Sequence, residues 1–257
     1  MAPLLEVRGL SFQSILRGVS FCVEKGEYLA VVGQNGAGKS TLLRCLDRIL
    51  SNWTGEVLLS GVSIRAIPRK GLARRIAYLR QGAGLVPDIT VRHFVLTGRY
   101  PHRGFFAPIS RRDEMIAENA LRLTETLPLA DRKLAALSGG EQQRVRLAAA
   151  VAQEAEVLLL DEPTVYLDYR RRDETNALLD KIRRETGAAL LEVTHDLNRT
   201  LASADAILAL KGGEALYCGK PAGMMTGEML RNVFETELDV VTIPGRAKPL
   251  VMPGNVS

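Results

Sequence analysis

Three short runs of residues carry types and spacings that can do chemistry. The first is Gly33-Gln34-Asn35-Gly36-Ala37-Gly38-Lys39-Ser40, which fits G-x-x-x-x-G-K-[ST] in full. A compact apolar run, Tyr28 to Val32, precedes it, and a helical pattern from Lys39 to Leu50 follows. In that context the glycines let the chain curl without Cβ clashes, and successive backbone N–H groups line an anion-sized concavity. The N-terminus of the following helix adds partial positive charge. Lys39 would reach the β- and γ-phosphates of a nucleotide such as ATP, Ser40 would offer a hydroxyl to Mg²⁺, and Thr41 would contact phosphate. The second run is Val157-Leu158-Leu159-Leu160-Asp161-Glu162, two carboxylates at the end of a strand apolar enough to be buried on both faces. An Asp there holds Mg²⁺ through water, and an adjacent Glu polarises an attacking water. Alone, such a pair is equally an ordinary solvated strand end. The phosphate cradle upstream favours the chemical reading.

The third run is Leu137-Ser138-Gly139-Gly140-Glu141-Gln142-Gln143-Arg144. Read locally, Ser138 caps a helix whose first N–H groups are donors for an anion. Lying between the cradle and an LLLDEPT strand, LSGGEQQR resembles the signature of ATP-binding cassette (ABC) ATPases. The resemblance covers nearly the whole chain, and the motifs stand in the family's order. It implies an α/β fold with a P-loop NTPase core, a β-rich N-terminal part and an inserted helical subdomain. It also implies that residues 33–41, Ser138, Gly139, Gly140 and Gln142 bind nucleotide.

The remaining family motifs fall on single residues. Gln81, after IAYL, matches the glutamine that touches Mg²⁺ and senses a transmembrane partner, although Arg80 stands where many relatives have Pro. Tyr166-Leu167-Asp168 matches the loop that crosses the dimer interface, with Val165 in place of its usual leading hydroxyl residue. His195, in VTHDLN after LLEVT, matches the switch histidine that contacts the γ-phosphate. Phe12 stands where the family puts an aromatic ring on adenine, and a core Phe is the competing reading. By this resemblance Glu162, His195 and Lys39 are catalytic, and Ser40, Gln81 and Asp161 hold the metal.

Gly98-Arg99-Tyr100-Pro101-His102 and Glu162-Pro163-Thr164-Val165-Tyr166-Leu167-Asp168 are similar to stretches in the ATPases of siderophore, haem and cobalamin importers. The first also reads as a helix end before a Pro turn. The resemblance implies a homodimer with ATP between facing P-loop and signature, docked on transmembrane permease subunits through the surface around Gln81 and Arg99. A secreted substrate-binding protein would be an indirect partner, and no nucleic acid is expected. The place of action would be the cytoplasmic face of the membrane. The alternatives are a soluble ABC ATPase of iron–sulfur assembly, and a cassette serving another metal or an oxyanion.

The elements that must position these residues are also readable. Short apolar runs alternate with longer helical patterns, as in an α/β domain spanning residues 1–257. Strands are expected at 4–10, 18–23, 28–32, 55–59, 76–79, 157–160, 189–193, 207–210 and 215–217. Between about 87 and 153 no strand pattern appears, and helices are expected at 91–97, 113–127 and 141–153. A helix at 169–185 closes on Thr186-Gly187. With 257 residues the chain can bury a sizeable core unaided, and 46% hydrophobic with 25% charged residues excludes wholesale disorder. The net charge of +5 suits an anionic ligand or a membrane-facing surface without choosing between them. Three scattered cysteines exclude a disulfide framework and fit a reducing compartment. The start, MAPLLEVRGLSFQ, lacks the basic stretch and long apolar run of a secretory signal, and no window of about 18 apolar residues suggests a membrane span.

Overall fold

The computed structural model describes residues 2–82, 86–104, 107–165, 167–242 and 249–254. They fall into two compact units, one of residues 1–66 with 190–257 and one of residues 67–189.

In the first unit, a small antiparallel sheet runs in the order Leu16–Val23, Leu5–Phe12, Thr54–Leu59, Val62–Ser63. Alternate residues of Leu5–Phe12 and Leu16–Val23 are buried, the period-2 pattern of strands with one face on a core. A second sheet is centred on Tyr28–Gly33, whose six residues are all buried. It pairs in parallel with Ala206–Lys211 on one side and with Leu190–Val193 on the other. Glu214–Gly219 extends the sheet antiparallel to Ala206–Lys211. The helices Lys39–Leu46 and Leu197–Ser203 follow directly on strands of this sheet, and Gly227–Phe234 comes near the C-terminus. Near the C-terminus, Leu238–Val241 pairs antiparallel with Leu250–Pro253.

In the second unit, Ile76–Leu79 pairs in parallel with Val157–Asp161. Val157 to Leu160 are at most 2% exposed, and each such side chain contributes roughly 1.5–3 kcal/mol by leaving water. Residues 91–152 carry the helices Val91–Thr97, Arg111–Leu123 and Gly139–Ala152 around a core that includes Val91, Val95, Leu121, Leu134, Val145 and Ala148. Tyr169–Thr186 is the long charged helix, closed by Gly187 at φ 66°.

Several helix limits differ from expectation, two helices most. The first helix stops at Leu46 rather than Leu50, because Arg48 turns left-handed at φ 54° and its guanidinium donates to Ile64 O at 2.9 Å. The helix expected over 113–127 runs Arg111–Leu123. Ser110 and Asp113 form a reciprocal capping box at its start. The Thr124 hydroxyl takes up Ala120 O at its end.

Arg99 is the larger correction. The resemblance puts it on a docking surface, but it is 2% exposed. Its guanidinium donates to Asp113 at 3.1 Å, to Glu154 at 2.7 Å and to the carbonyl of Ala152 at 2.6 Å. It thereby ties the end of the first helix of residues 91–152 to the start of the second and the end of the third. Burial raises the Asp113 carboxyl, but hydrogen bonds from Ser110 and Arg99 outweigh this and hold it below its usual range. Arg99→Met leaves that buried carboxylate without its charge partner, and the expected loss is about 3–5 kcal/mol of stability. A shift of the urea midpoint measures it. His102 completes the junction, its Nε2 lying 2.8 Å from Gln153 O.

Among the described residues, no helix is long and apolar enough to cross a membrane. Cys45 is buried, its thiol pushed up to about 11 by desolvation, while Cys22 and Cys218 are free and exposed.

Candidate functional site

The phosphate cradle lies in the first unit. Gly33, Gly36 and Gly38 all have positive φ, at 144°, 81° and 96°. At two of these a side chain is excluded. A β-carbon on Gly33 would run into the Leu210 carbonyl, and one on Gly38 would lie 2.7 Å from Leu16 Cδ2. The loop can therefore curl only as glycine, the backbone freedom that an anion cradle requires. Asn35 and Gly36 at the tip are exposed, while Gln34, Ser40 and Thr41 are half-buried. Lys39 is 6% exposed, and its ammonium donates to Gly33 O at 2.8 Å and Gln34 O at 2.7 Å. The charge thus sits over the loop's own carbonyls, where an incoming phosphate would meet it.

His195 is in the same unit. The strand ending at Val193 is wholly buried, Thr194 still is, and His195 is exposed. The turn is locked locally: Thr194 Oγ1 accepts from Asp196 N at 3.1 Å, and Asp196 caps the next helix by accepting from Arg199 N at 2.9 Å. Below it, Glu192 is fully buried mid-strand, accepts from Tyr28 Oη at 2.7 Å and pairs with Arg199 at 3.7 Å. Phe12, the last residue of the strand Leu5–Phe12, is 7% exposed.

The second unit brings two of the expected residues together. Asp161 ends the buried strand at 1% exposure and accepts from Tyr78 Oη at 2.8 Å. Glu162 leaves the strand in the left-handed region at φ 51°. Its Oε2 accepts from the Gln81 amide at 2.7 Å. A β-region glutamate would continue the strand; the turn instead directs this carboxylate to the loop that follows Leu79.

Ser138 caps the helix Gly139–Ala152 in a second capping box. Glu141 accepts from both the Ser138 backbone N–H, at 2.8 Å, and its hydroxyl, at 2.7 Å. Those bonds, the hydroxyl's first, hold the Glu141 carboxyl below its usual range. Gly139 is exposed, and a β-carbon on it would meet nothing within 4 Å. Gln142 is engaged with its own helix, its amide donating to Leu137 O at 3.1 Å and accepting from Arg146 at 3.3 Å. A cleft of about 320 Å³ opens here, lined by Ser138, Gly140, Glu141, Arg144, Leu167 and Arg171. Asp168 is exposed and caps the helix Tyr169–Thr186, accepting from Arg171 N at 2.9 Å. Val165 is half-buried, its N–H donating to Glu162 O at 3.2 Å. Tyr166 lies outside the described residues.

Residues 16–165, more than half of the chain, match the family described as ABC transporter. The chain belongs to that family. It is an α/β cassette with ATPase chemistry. The iron(3+)-hydroxamate import ATP-binding protein FhuC of Bacillus subtilis (strain 168) is 36% identical over 95% of this chain and 91% of its own length. The ferric enterobactin transport ATP-binding protein FepC of Escherichia coli (strain K12) is 36% identical over 95% and 90%. A solved ABC transporter of the metal-chelate type, in an inward-facing conformation, superposes with TM-score 0.86 at 27% identity over 99% of both chains. The metal donors expected of this cassette are a hydroxyl (Ser40), a carboxamide (Gln81) and a carboxylate (Asp161). These are hard oxygen ligands, few enough for Mg²⁺ to keep waters and substrate phosphate in its shell.

Three contacts around these loops have no signal in the sequence. Tyr78 on Asp161, Tyr28 on Glu192 and Asn198 on Val251 join residues 83, 164 and 53 apart in the chain, and no local motif marks such pairs.

Proposed function

We propose that this cassette hydrolyses ATP to drive uptake of a ferric siderophore through a separate membrane permease. It would work as a homodimer on the cytoplasmic face of the membrane. The observation that carries the cargo class is the similarity to FhuC and FepC over nearly the full length of all three chains. The GRYPH and EPTVYLD stretches agree with it.

In this reading the backbone of residues 33–41 and the Lys39 ammonium receive the phosphates, which would replace the loop carbonyls as partners of that charge. Ser40, Gln81 and Asp161 would hold Mg²⁺, which would supply positive charge against the phosphate oxygens. Glu162 accepts a proton from the attacking water, its direction fixed by the Gln81 amide. His195 contacts the γ-phosphate from its exposed turn. Ser138, Gly139, Gly140 and Gln142 of a second copy close the site, since a helix N-terminus that starts on glycines, Gly139 exposed, accepts an anion at short range. Asp168 lies at the seam between the copies. Binding of ATP favours the closed dimer, and loss of the γ-phosphate reopens it.

Deletion in the host is expected to abolish energy-dependent uptake of one ferric siderophore, with haem and cobalamin the nearest substitutes. The wild-type chain should restore uptake and Glu162→Gln should not. Normal uptake of all ferric chelates, haem and cobalamin would sink the cargo class while leaving the ATPase chemistry standing.

A further inference from the structure

Two side chains of the nucleotide loops reach away from the reaction to the C-terminal segment of the same unit. Asn198 lies three residues beyond His195, in the helix Leu197–Ser203. Its amide makes two bonds to one residue: Nδ2 donates to Val251 O at 3.0 Å, and Oδ1 accepts from Val251 N at 2.8 Å. Val251 is 7% exposed in the strand Leu250–Pro253, where it faces Val240 of the partner strand. Gln34, in the phosphate loop, donates to the carbonyl of Phe234 at 2.7 Å, the last residue of the helix Gly227–Phe234. The carbonyl of that same Gln34 accepts from Lys39. Directly after Phe234 the chain turns left-handed at Glu235, φ 54°, which pairs with Lys211 at 2.9 Å. Phe234 thus holds the phosphate loop, and Val251 holds the histidine's turn.

We infer that the strand Leu250–Pro253 is a positioning element for hydrolysis, with Asn198 as the residue through which Val251 fixes the turn that presents His195. A two-point amide contact sets both the distance and the rotation of the helix start, which a single bond would leave free. The local bonds of Thr194 and Asp196 shape the turn, and Asn198 anchors it to something outside itself. Asn198 acts only through His195, so the inference rests on the role given to that histidine above.

The test is ATPase kinetics of the full chain, normalised to nucleotide-binding sites titrated with a fluorescent ATP analogue. The variants are His195→Ala, Asn198→Ala and the two combined. A misplacement of the γ-phosphate contact should lower kcat about ten- to a hundredfold in Asn198→Ala. KM for ATP should change less than about twofold. In the His195→Ala background the same substitution should change the residual rate by less than about twofold, since coupled residues are not additive. Val251→Pro removes the N–H that Asn198 accepts without touching the helix, and should give the same kcat loss. Asn198→Asp keeps one bond and sets a carboxylate oxygen against the Val251 carbonyl; it should match Asn198→Ala with an unchanged melting temperature. Wild-type kcat in Asn198→Ala alongside a slow His195→Ala overturns the inference and leaves the histidine's role intact. Fully additive losses overturn it too, because Asn198 then acts independently of His195. Wild-type turnover in His195→Ala removes the histidine's role and the inference with it.

Discussion

Glu162→Gln is expected to cut ATP turnover at least about a hundredfold, because general-base assistance is typically worth 10²–10⁴. The substitution is isosteric and leaves the rest of the site alone. The left-handed backbone at φ 51° is as open to Gln as to Glu, and the new side-chain oxygen can still accept from the Gln81 amide. What disappears is the carboxylate that takes the proton. Nucleotide affinity should therefore persist, since no phosphate contact in residues 33–41 changes. An ATP-bound dimer should accumulate and elute earlier in gel filtration than the nucleotide-free chain. Turnover at the wild-type rate would remove Glu162 from the mechanism. Loss of both turnover and binding would instead mean that the Gln81–Glu162 contact shapes the fold of that loop.

Most of the frame that holds these residues is legible in the chain because it follows local rules. Val157 to Leu160 reads as a buried strand since four apolar residues in a row leave no face for water, and all four are buried. Gly33 and Gly38 read as necessities since the backbone there admits no side chain. The helix Val91–Thr97 has the limits its pattern suggests. What escapes is set by partners far along the chain. Helix 39–46 ends where Arg48 finds Ile64 rather than where its apolar pattern fades. Arg99, an ordinary surface arginine by type, is buried because Asp113, Glu154 and the Ala152 carbonyl surround it. Glu192 interrupts an apolar strand and is nonetheless fully buried, made tolerable by Tyr28 and Arg199. The grips of Asn198 on Val251 and Gln34 on Phe234 span 53 and 200 residues. At the site itself the motifs name the residues, while the contacts that orient them, such as Tyr78 on Asp161, come from the fold.

The second large effect concerns the proposed facing dimer, and it separates chemistry within one chain from chemistry shared by two. Lys39→Ala removes an ammonium that is 6% exposed and bonded to two carbonyls of its own loop. Hydrogen bonds to a charged group are worth about 1.5–3 kcal/mol, so ATP affinity should fall roughly ten- to a hundredfold and turnover with it. A signature variant must spare the fold. Ser138 is a poor choice, because its hydroxyl and N–H both belong to the capping box with Glu141. Gly139 is better: a β-carbon there meets nothing, and an Asp in the first turn suits the helix dipole. Gly139→Asp should therefore fold normally and set a carboxylate where the other copy's γ-phosphate would arrive. Each variant alone should be nearly inactive. Mixed in equal amounts and allowed to exchange, half the dimers pair one variant with the other. Each such dimer keeps one site built from an intact cradle and an intact signature, so about a quarter of wild-type ATPase should return if the two sites act independently. No recovery, in a mixture whose cross-linking shows that the heterodimer forms, would mean that both sites must fire together. Full activity of Gly139→Asp by itself would mean that the signature helix never meets a phosphate, and the cassette would then have to close its site within a single chain.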